Sequence, residues 1–461
     1  MSTPPIESLQ PESAEVEKES LPRMFRALRH RNYRLFFIGQ VISLTGSFLT
    51  LTATNWLVLR MTHSAKMLGL VAFSGQIGMF ILAPFAGVWV DRVNRQRLLV
   101  ITQTLAMLES FTLAALALSG HITVGEILIL NFFQSVINAF DMPGRQAFLI
   151  EMINGREDLP NAIALNSIMV HGARLLGPAI AGLLIAWVGE GLCFTLDGIS
   201  YIGVIIAFWI MVVTPREMKV PRSVMVELKE GFHYIWHFLP IRILLIVMAV
   251  VSLTAIPALN VLMPIYAAYF AGAGSAGARL YGILGAATGL GALIGSFYLA
   301  SRKSVVGLGR LIAIAAAVFG VALASFALSR YLWLSLLIVP LGGWAMITLF
   351  ASCNTIVQTL SDDDKRGRVM SFFTLAFAGM APFGNLLAGF MAARFLPLGA
   401  NPVVGASRAL MVEAIVCLLA AAAFMRALPT VRKFARPVYV RKGILPETSV
   451  NVPPTMATAE Q

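Results

Sequence analysis

Four ionisable side chains stand inside long apolar runs of this chain: Glu109, Arg174, Asp197 and Glu413. A charge in such surroundings is costly to bury, so each is a candidate for carrying a proton or closing an ion pair. Position along the runs puts Glu109, Arg174 and Glu413 near the middle and Asp197 nearer one end. Glu109 and Arg174 share a depth, which makes each the most economical partner for the other. Paired, they would be structural rather than proton-carrying. A second set of charges closes one of the runs. GVWVDRVNRQR, from Gly87 to Arg97, joins a glycine and an acid four positions on to a cluster of arginines. Cys193, Cys353 and Cys417 fall in different runs, with neither metal-ligand spacing nor a disulfide framework. The histidines are scattered and no nucleotide-binding loop occurs. No metal, no organic cofactor and no direct use of ATP are expected.

The elements that hold these residues must cross lipid. Hydrophobic residues make up 58% of the 461 residues and charged ones only 13%, too little polar surface for a soluble chain of this length. Apolar stretches of about 20 residues run over 34–59, 66–89, 97–119, 122–142, 160–188, 192–213, 242–270, 278–300, 307–328, 331–358, 368–393 and 404–427. None alternates with the ten-residue pattern of an outer-membrane barrel. The expected fold class is an all-α polytopic membrane protein with twelve transmembrane helices.

The net charge of +12 is unevenly spread. One side of the predicted topology holds only Arg60, Lys66, Arg279, Arg330, Arg394 and Arg408; most of the 35 Lys and Arg lie on the other, with both termini. That bias places the termini in the cytoplasm. It assigns the basic pI to orientation and to contact with anionic membrane lipids, not to nucleic acid. The N-terminal tail, residues 1–33, is polar and acidic at first. Arg23, Arg26, Arg29 and Arg31 then alternate with Met24, Phe25 and Leu28, which suits either a short amphipathic helix on the inner leaflet or a merely positive flank. The C-terminal tail is residues 428–461. No cleavable signal peptide is expected, because the first apolar run starts late and is too long.

A hydrophilic linker at 214–241, whose KEGFHYIWHF portion reads as a short surface helix, separates lobes at 34–213 and 242–427. GPAIAG (Gly177–Gly182) in the fifth span and GNLLAG (Gly384–Gly389) in the eleventh share one spacing, a weak internal repeat. The second-half counterpart of the Gly87 run is GSFYLASRK at 295–303, which has no acid, so the two loops are not equivalent.

With GVWVDRVNRQR, five further stretches carry a family resemblance: NYRLFFIGQVIS, FDMPGRQAFL, LPNAIALNSI leading to ARLLGPAIAG, KEGFHYI, and DDDKRGRVMSF. They resemble the major facilitator superfamily, in its drug:proton antiporter branch that includes the enterobactin exporter and macrolide efflux proteins, over about residues 30–395. The resemblance implies two six-helix lobes that export small amphipathic compounds by alternating access, with protons as the counter-transported partner. It also implies a bacterial inner membrane; a monomer is expected.

Residue roles follow from the same resemblance. Gly87, Asp91, Arg92, Arg95 and Asp141 would form a cytoplasmic latch, with Asp91 facing the positive N-terminal end of the eleventh span. Arg92 and Arg95 would pair with Asp141. Gly172, Arg174, Gly177, Pro178 and Gly182 match the antiporter motif of the fifth span, with Ala181 where a glycine is often found; the proline kinks the helix and the glycines admit a neighbouring backbone. A central cavity lined by spans 1, 4, 7 and 10 would draw on Gln40, Ser43, Ser47, Asn55, Asn131, Gln134 and Asn138 from the first lobe. From the second come Thr254, Asn260, Trp344, Thr348 and Asn354, and Phe132 and Phe133 add aromatic surface. Uncharged polar groups among apolar ones suit a bulky amphipathic ligand better than a strongly anionic one. A proton-coupled importer or lysolipid flippase is the alternative within the fold. A non-transporting sensor or scaffold is the alternative outside it.

Overall fold

The computed structural model describes residues 23–90, 92–153, 157–212, 224–302, 304–362 and 365–446. Among these residues the regular structure is entirely helical. The first lobe is built from α1 (Arg31–Thr62), α2 (Ala65–Val90), α3 (Arg95–Leu118), α4 (Val124–Glu151), α5 (Leu159–Val188) and α6 (Glu190–Ile210). A short helix, α7 (Val224–His237), precedes the second lobe. There α8 (Leu239–Pro257), a π-helical turn at Ala258–Leu262 and α9 (Met263–Ala271) make one crossing. Next come α10 (Ser275–Ala300), α11 (Leu308–Leu328) and α12 (Leu332–Leu360). The eleventh crossing is α13 (Arg366–Thr374), a π-turn at Leu375–Gly379 and α14 (Ala381–Arg394), and α15 (Pro402–Arg441) is the last.

Local chemistry sets several of these ends. Asn94 caps α3 by accepting from the Arg97 N–H, and Thr123 with Glu126 forms a full capping box on α4. Asn401 caps α15 at the Val403 N–H, with Pro402 in the first turn where its missing N–H costs nothing. Both π-turns lie beside prolines, Pro257 before one and Pro382 after the other, which interrupt the regular hydrogen-bond ladder.

Among the described residues, eleven helical spans are long and apolar enough to cross a bilayer by length and composition alone. The twelfth crossing, α4, falls short because Asn131, Gln134 and Asn138 interrupt its apolar run, yet it packs between α2 and α3 like its neighbours. The last helix outruns its apolar stretch, which ends near residue 427. It continues because Val431 and Ala435 remain buried, and Arg441 and Lys442 bond to Asp362 and to the Ser361 carbonyl.

The first and last described residues, Arg23 and Pro446, lie at one end of the bundle, here the terminal end; the opposite one is the far end. At the terminal end of the first lobe, Tyr33, Phe36, Phe148 and Phe208 form a compact core. A larger core fills the second lobe and reaches through Tyr281 to Trp56 and Leu113 of the first. Cys193, Cys353 and Cys417 are free and completely buried.

Candidate functional site between and within the lobes

The lobes meet along two glycine seams. Where α5 crosses α10, a Cβ on Gly182 would stand 2.9 Å from the Ala278 carbonyl and from Gly282 Cα, so only glycine fits. Farther along, Gly289 lies against Leu175 and the Arg174 carbonyl. Where α2 crosses α14, Gly69 meets Gly389 and the Asn385 carbonyl, and Asn385 Nδ2 donates to Ala72 O at 3.5 Å. At the far end Trp56 stacks on Tyr281 with centroids 6.2 Å apart, and Asn55 Nδ2 donates to the Tyr281 hydroxyl at 3.2 Å. Lys66 sits over the Phe390 ring at 5.0 Å. Phe80 meets Phe383 edge-on at 5.2 Å, near the middle of the bundle. Among the described residues, the ring contacts, hydrogen bonds and glycine approaches between transmembrane helices of the two lobes all lie between the far end and the middle. The lobes are closed at the far end.

The cavity expected from the sequence draws on α1, α4, α8–α9 and α12. Phe133 is 56% exposed, and Gln134, Asn138, Asn260, Trp344 and Asn354 are half-buried. Gln134 Oε1 has no partner, whereas Asn354 accepts from Gln358 at 2.9 Å. Several of the residues expected in the cavity are elsewhere, Thr254 and Thr348 being buried within the second lobe. Gln40 and Ser43 are fully buried within the first lobe, where Gln40 Oε1 accepts from Arg145 Nη1 at 2.6 Å. Asn55 belongs to the far-end closure.

The latch residues are arranged differently from expectation. Gly87 lies in the last turn of α2, and Asp91 lies outside the described residues. Asp141 is not paired with Arg92 or Arg95. Its carboxylate is gripped by Arg145 one turn on, and accepts from Thr102 Oγ1 at 2.8 Å and Gln103 Nε2 at 2.7 Å. Arg95 instead pairs with Glu151 at the end of α4, and Arg92 is exposed. Arg145 stands in the FDMPGRQAFL stretch, and its spacing of four from Asp141 on a helix is the sequence signal for this pair.

The fifth-span motif divides in two. Gly177 packs against Phe48 of α1, Pro178 against Gly285, and Gly182 makes the seam. Gly172 faces open space, so it admits no neighbouring backbone. Arg174 does not pair with Glu109: its guanidinium lies over the Phe48 ring at 5.6 Å, a cation–π contact. Glu109 lies instead on the α3–α6 interface beside Asp197, which accepts from Ser110 Oγ at 3.0 Å. Glu413 is 3% exposed on α15, and neither of its oxygens has a hydrogen-bond partner.

At the terminal end the Arg-rich segment forms a 3-10 helix at Arg23–Arg29 that docks on the start of α5, making it a clamp rather than a free flank. Asp158, 2% exposed, accepts from Arg26 Nε at 2.5 Å and pairs with Arg29 and His30 at 2.8 Å each. The Ala27 N–H bonds Asn161, and the Tyr33 hydroxyl donates to Ala162 O at 2.9 Å. The arginines stand out in the sequence, but their acceptor Asp158 lies more than a hundred residues away.

Two glycine seams and a closed far end join two six-helix lobes, an architecture that comparison with known proteins matches. The chain is 24% identical over 363 residues to the staphyloferrin A transporter of Staphylococcus aureus (strain NCTC 8325 / PS 47), covering 77% of this chain and 88% of that protein. It is 27% identical over 364 residues to the multidrug efflux pump Tap of Mycolicibacterium fortuitum, covering 75% and 85%. Its fold is similar to that of a bacterial homologue of the human lysosomal transporter Spinster, crystallised inward-facing and occupied. That match has a TM-score of 0.67 at 15% identity and covers 88% of this chain and 98% of the other. Over residues 23–439 the sequence matches the transmembrane secretion effector family. The chain belongs to that family, an integral membrane transporter of the major facilitator superfamily.

Proposed function

We propose that this protein is a secondary active exporter of amphipathic small molecules, working by alternating access in a bacterial inner membrane and driven by proton antiport. The observation that carries the reading is the one-sided contact between lobes, closed from the far end to the middle by Trp56–Tyr281 and the glycine seams. The charge bias supports a cytoplasmic terminal end, and on this reading the protein opens there to load substrate from the cytoplasm or inner leaflet. Phe133, Gln134, Asn138, Asn260 and Trp344 offer apolar surface with sparse polar groups, a pocket chemistry suited to bulky amphipathic compounds. Similarity to a multidrug efflux pump favours export over uptake.

Closing the terminal end requires the glycine seams to roll and the far-end contacts to part. Asp91 would then meet the positive N-terminal end of α13, a contact available only in that state and therefore biasing it. No group in the cavity contributes a bond-making step; transport is binding and conformational change alone.

The test is a panel of amphipathic antibiotics and dyes against an efflux-deficient host expressing the protein, with and without a protonophore. Resistance to part of the panel, abolished by the protonophore, is expected. Unchanged susceptibility with inward accumulation of the same compounds would overturn export.

A further inference from the structure

Resting on the reading of a proton-driven carrier, we propose that Glu109 and Asp197 together form its proton-binding site in the first lobe, mechanically joined to α1. Neither residue faces the gap between the lobes. Glu109 is 7% exposed and Asp197 2% exposed. They stand on facing sides of α3 and α6, which are held close by Gly198 against Phe111 and Gly191 against Leu118. Ser110, the residue after Glu109, bonds Asp197 across that interface.

What surrounds them is polar but uncharged. Asp197 Oδ2 accepts from Ser110 Oγ, while Oδ1 has no partner. Ser200 Oγ is used up on the Asp197 carbonyl, at 2.6 Å. From α1, the Thr50 hydroxyl lies toward Asp197, within reach but outside full hydrogen-bond geometry. The titratable or charged groups facing the pair are Tyr201 of α6 and, beyond it, Arg145 of α4, which Asp141 and Gln40 already hold. On α5, Arg174 is turned to the Phe48 ring. No described Lys, Arg or His forms an ion pair with either carboxylate.

Two unpaired negative charges side by side at this depth are not tolerable. Like charges repel, and no cation offsets the loss of water. A proton supplies the missing compensation, and an additional hydrogen-bond donor with it. The site is also placed to report its occupancy. Gly46 of α1 packs so tightly on Asp197 that a Cβ there would lie 2.5 Å from Oδ1, and Ser47 Oγ bonds the Tyr201 hydroxyl at 3.2 Å. Losing the proton leaves Oδ1 needing a donor, and the Thr50 hydroxyl is one within reach. A small shift of α1, a helix expected to line the substrate cavity, would supply it. Proton release and movement of a cavity helix thereby become one event.

The experiment is infrared difference spectroscopy of the purified full chain in lipid, stepping pH across neutrality with no substrate present. A protonated-carboxyl C=O band is expected. It should shift when aspartate is labelled with 13C in the otherwise unmodified protein, and disappear or move in Asp197→Asn and in Glu109→Gln. The isotope arm needs no substitution, so a variant that folds poorly does not remove the test. A spectrum without such a band, or one that neither the label nor either substitution moves, overturns the proposal and leaves Glu413 as the buried acid to consider. Because the spectrum is read without transport, an intact band in a protein that exports nothing would count against the exporter reading alone.

Discussion

Asp158 shows how strongly surroundings set the behaviour of a single acid in this protein. Burial alone would raise its carboxyl. The hydrogen bonds from His30 and Arg26 and the charges of Arg26 and Arg29 outweigh that and hold it at about 2, against an ordinary 3.8. A carboxyl depressed on folding stabilises the fold fully above its unfolded value, and that contribution fades as pH falls through the folded one. Asp158→Asn is therefore expected to lower the melting temperature in detergent at neutral pH. The loss corresponds to roughly 1.5–3 kcal/mol per charged hydrogen bond removed. The gap between variant and parent should close as pH drops from about 4 toward 2. A gap that persists there would mean that packing of the 3-10 helix, and not the carboxylate charge, holds the clamp.

At the scale of elements, the glycine seams are what set the closed end. A methyl group at Gly182 must displace the Ala278 carbonyl or the Gly282 backbone, neither of which can swing away as a side chain would. Gly182→Ala is expected to push α5 off α10 and move the population toward the far-end-open state. Overpacking of this kind costs about 1–3 kcal/mol, which is roughly a 5–150-fold change in the balance of states. Spin labels at His63 and Gly274 should report a longer distance; an unchanged distribution would show that the seam does not hold that end shut. These helices were legible in the sequence because crossing lipid demands length and apolarity, and prolines mark where the ladder breaks. The depth of Glu109 and Arg174 was legible for the same reason. The direction each side chain takes around its helix was not, since helix rotation is set by contacts such as Gly198 on Phe111 that only the packed lobe contains. That is why Glu109 was expected beside Arg174 and is found beside Asp197, and why Gln40 and Ser43 turn inward. Asp158 and the bond from Arg145 to Gln40 escaped notice through distance in sequence: they depend on the N-terminal segment and on α1.

The whole molecule is a shell of lipid-facing apolar side chains around two lobes, with its cations gathered at the terminal end. Single cysteines placed at His63, His121 or Gly274 are expected to react with impermeant thiol reagents added to whole cells. One at Asn94 should react only after the membrane is opened. The reverse pattern would invert the orientation and with it the side assigned to the closed end. Cys193, Cys353 and Cys417 bear on any such measurement, since each is sealed among packed helices with no accessible surface. Thiol reagents act on exposed thiolates. The unaltered protein is thus already silent toward them, and a single introduced cysteine can serve as its own reporter without first rebuilding the native sequence.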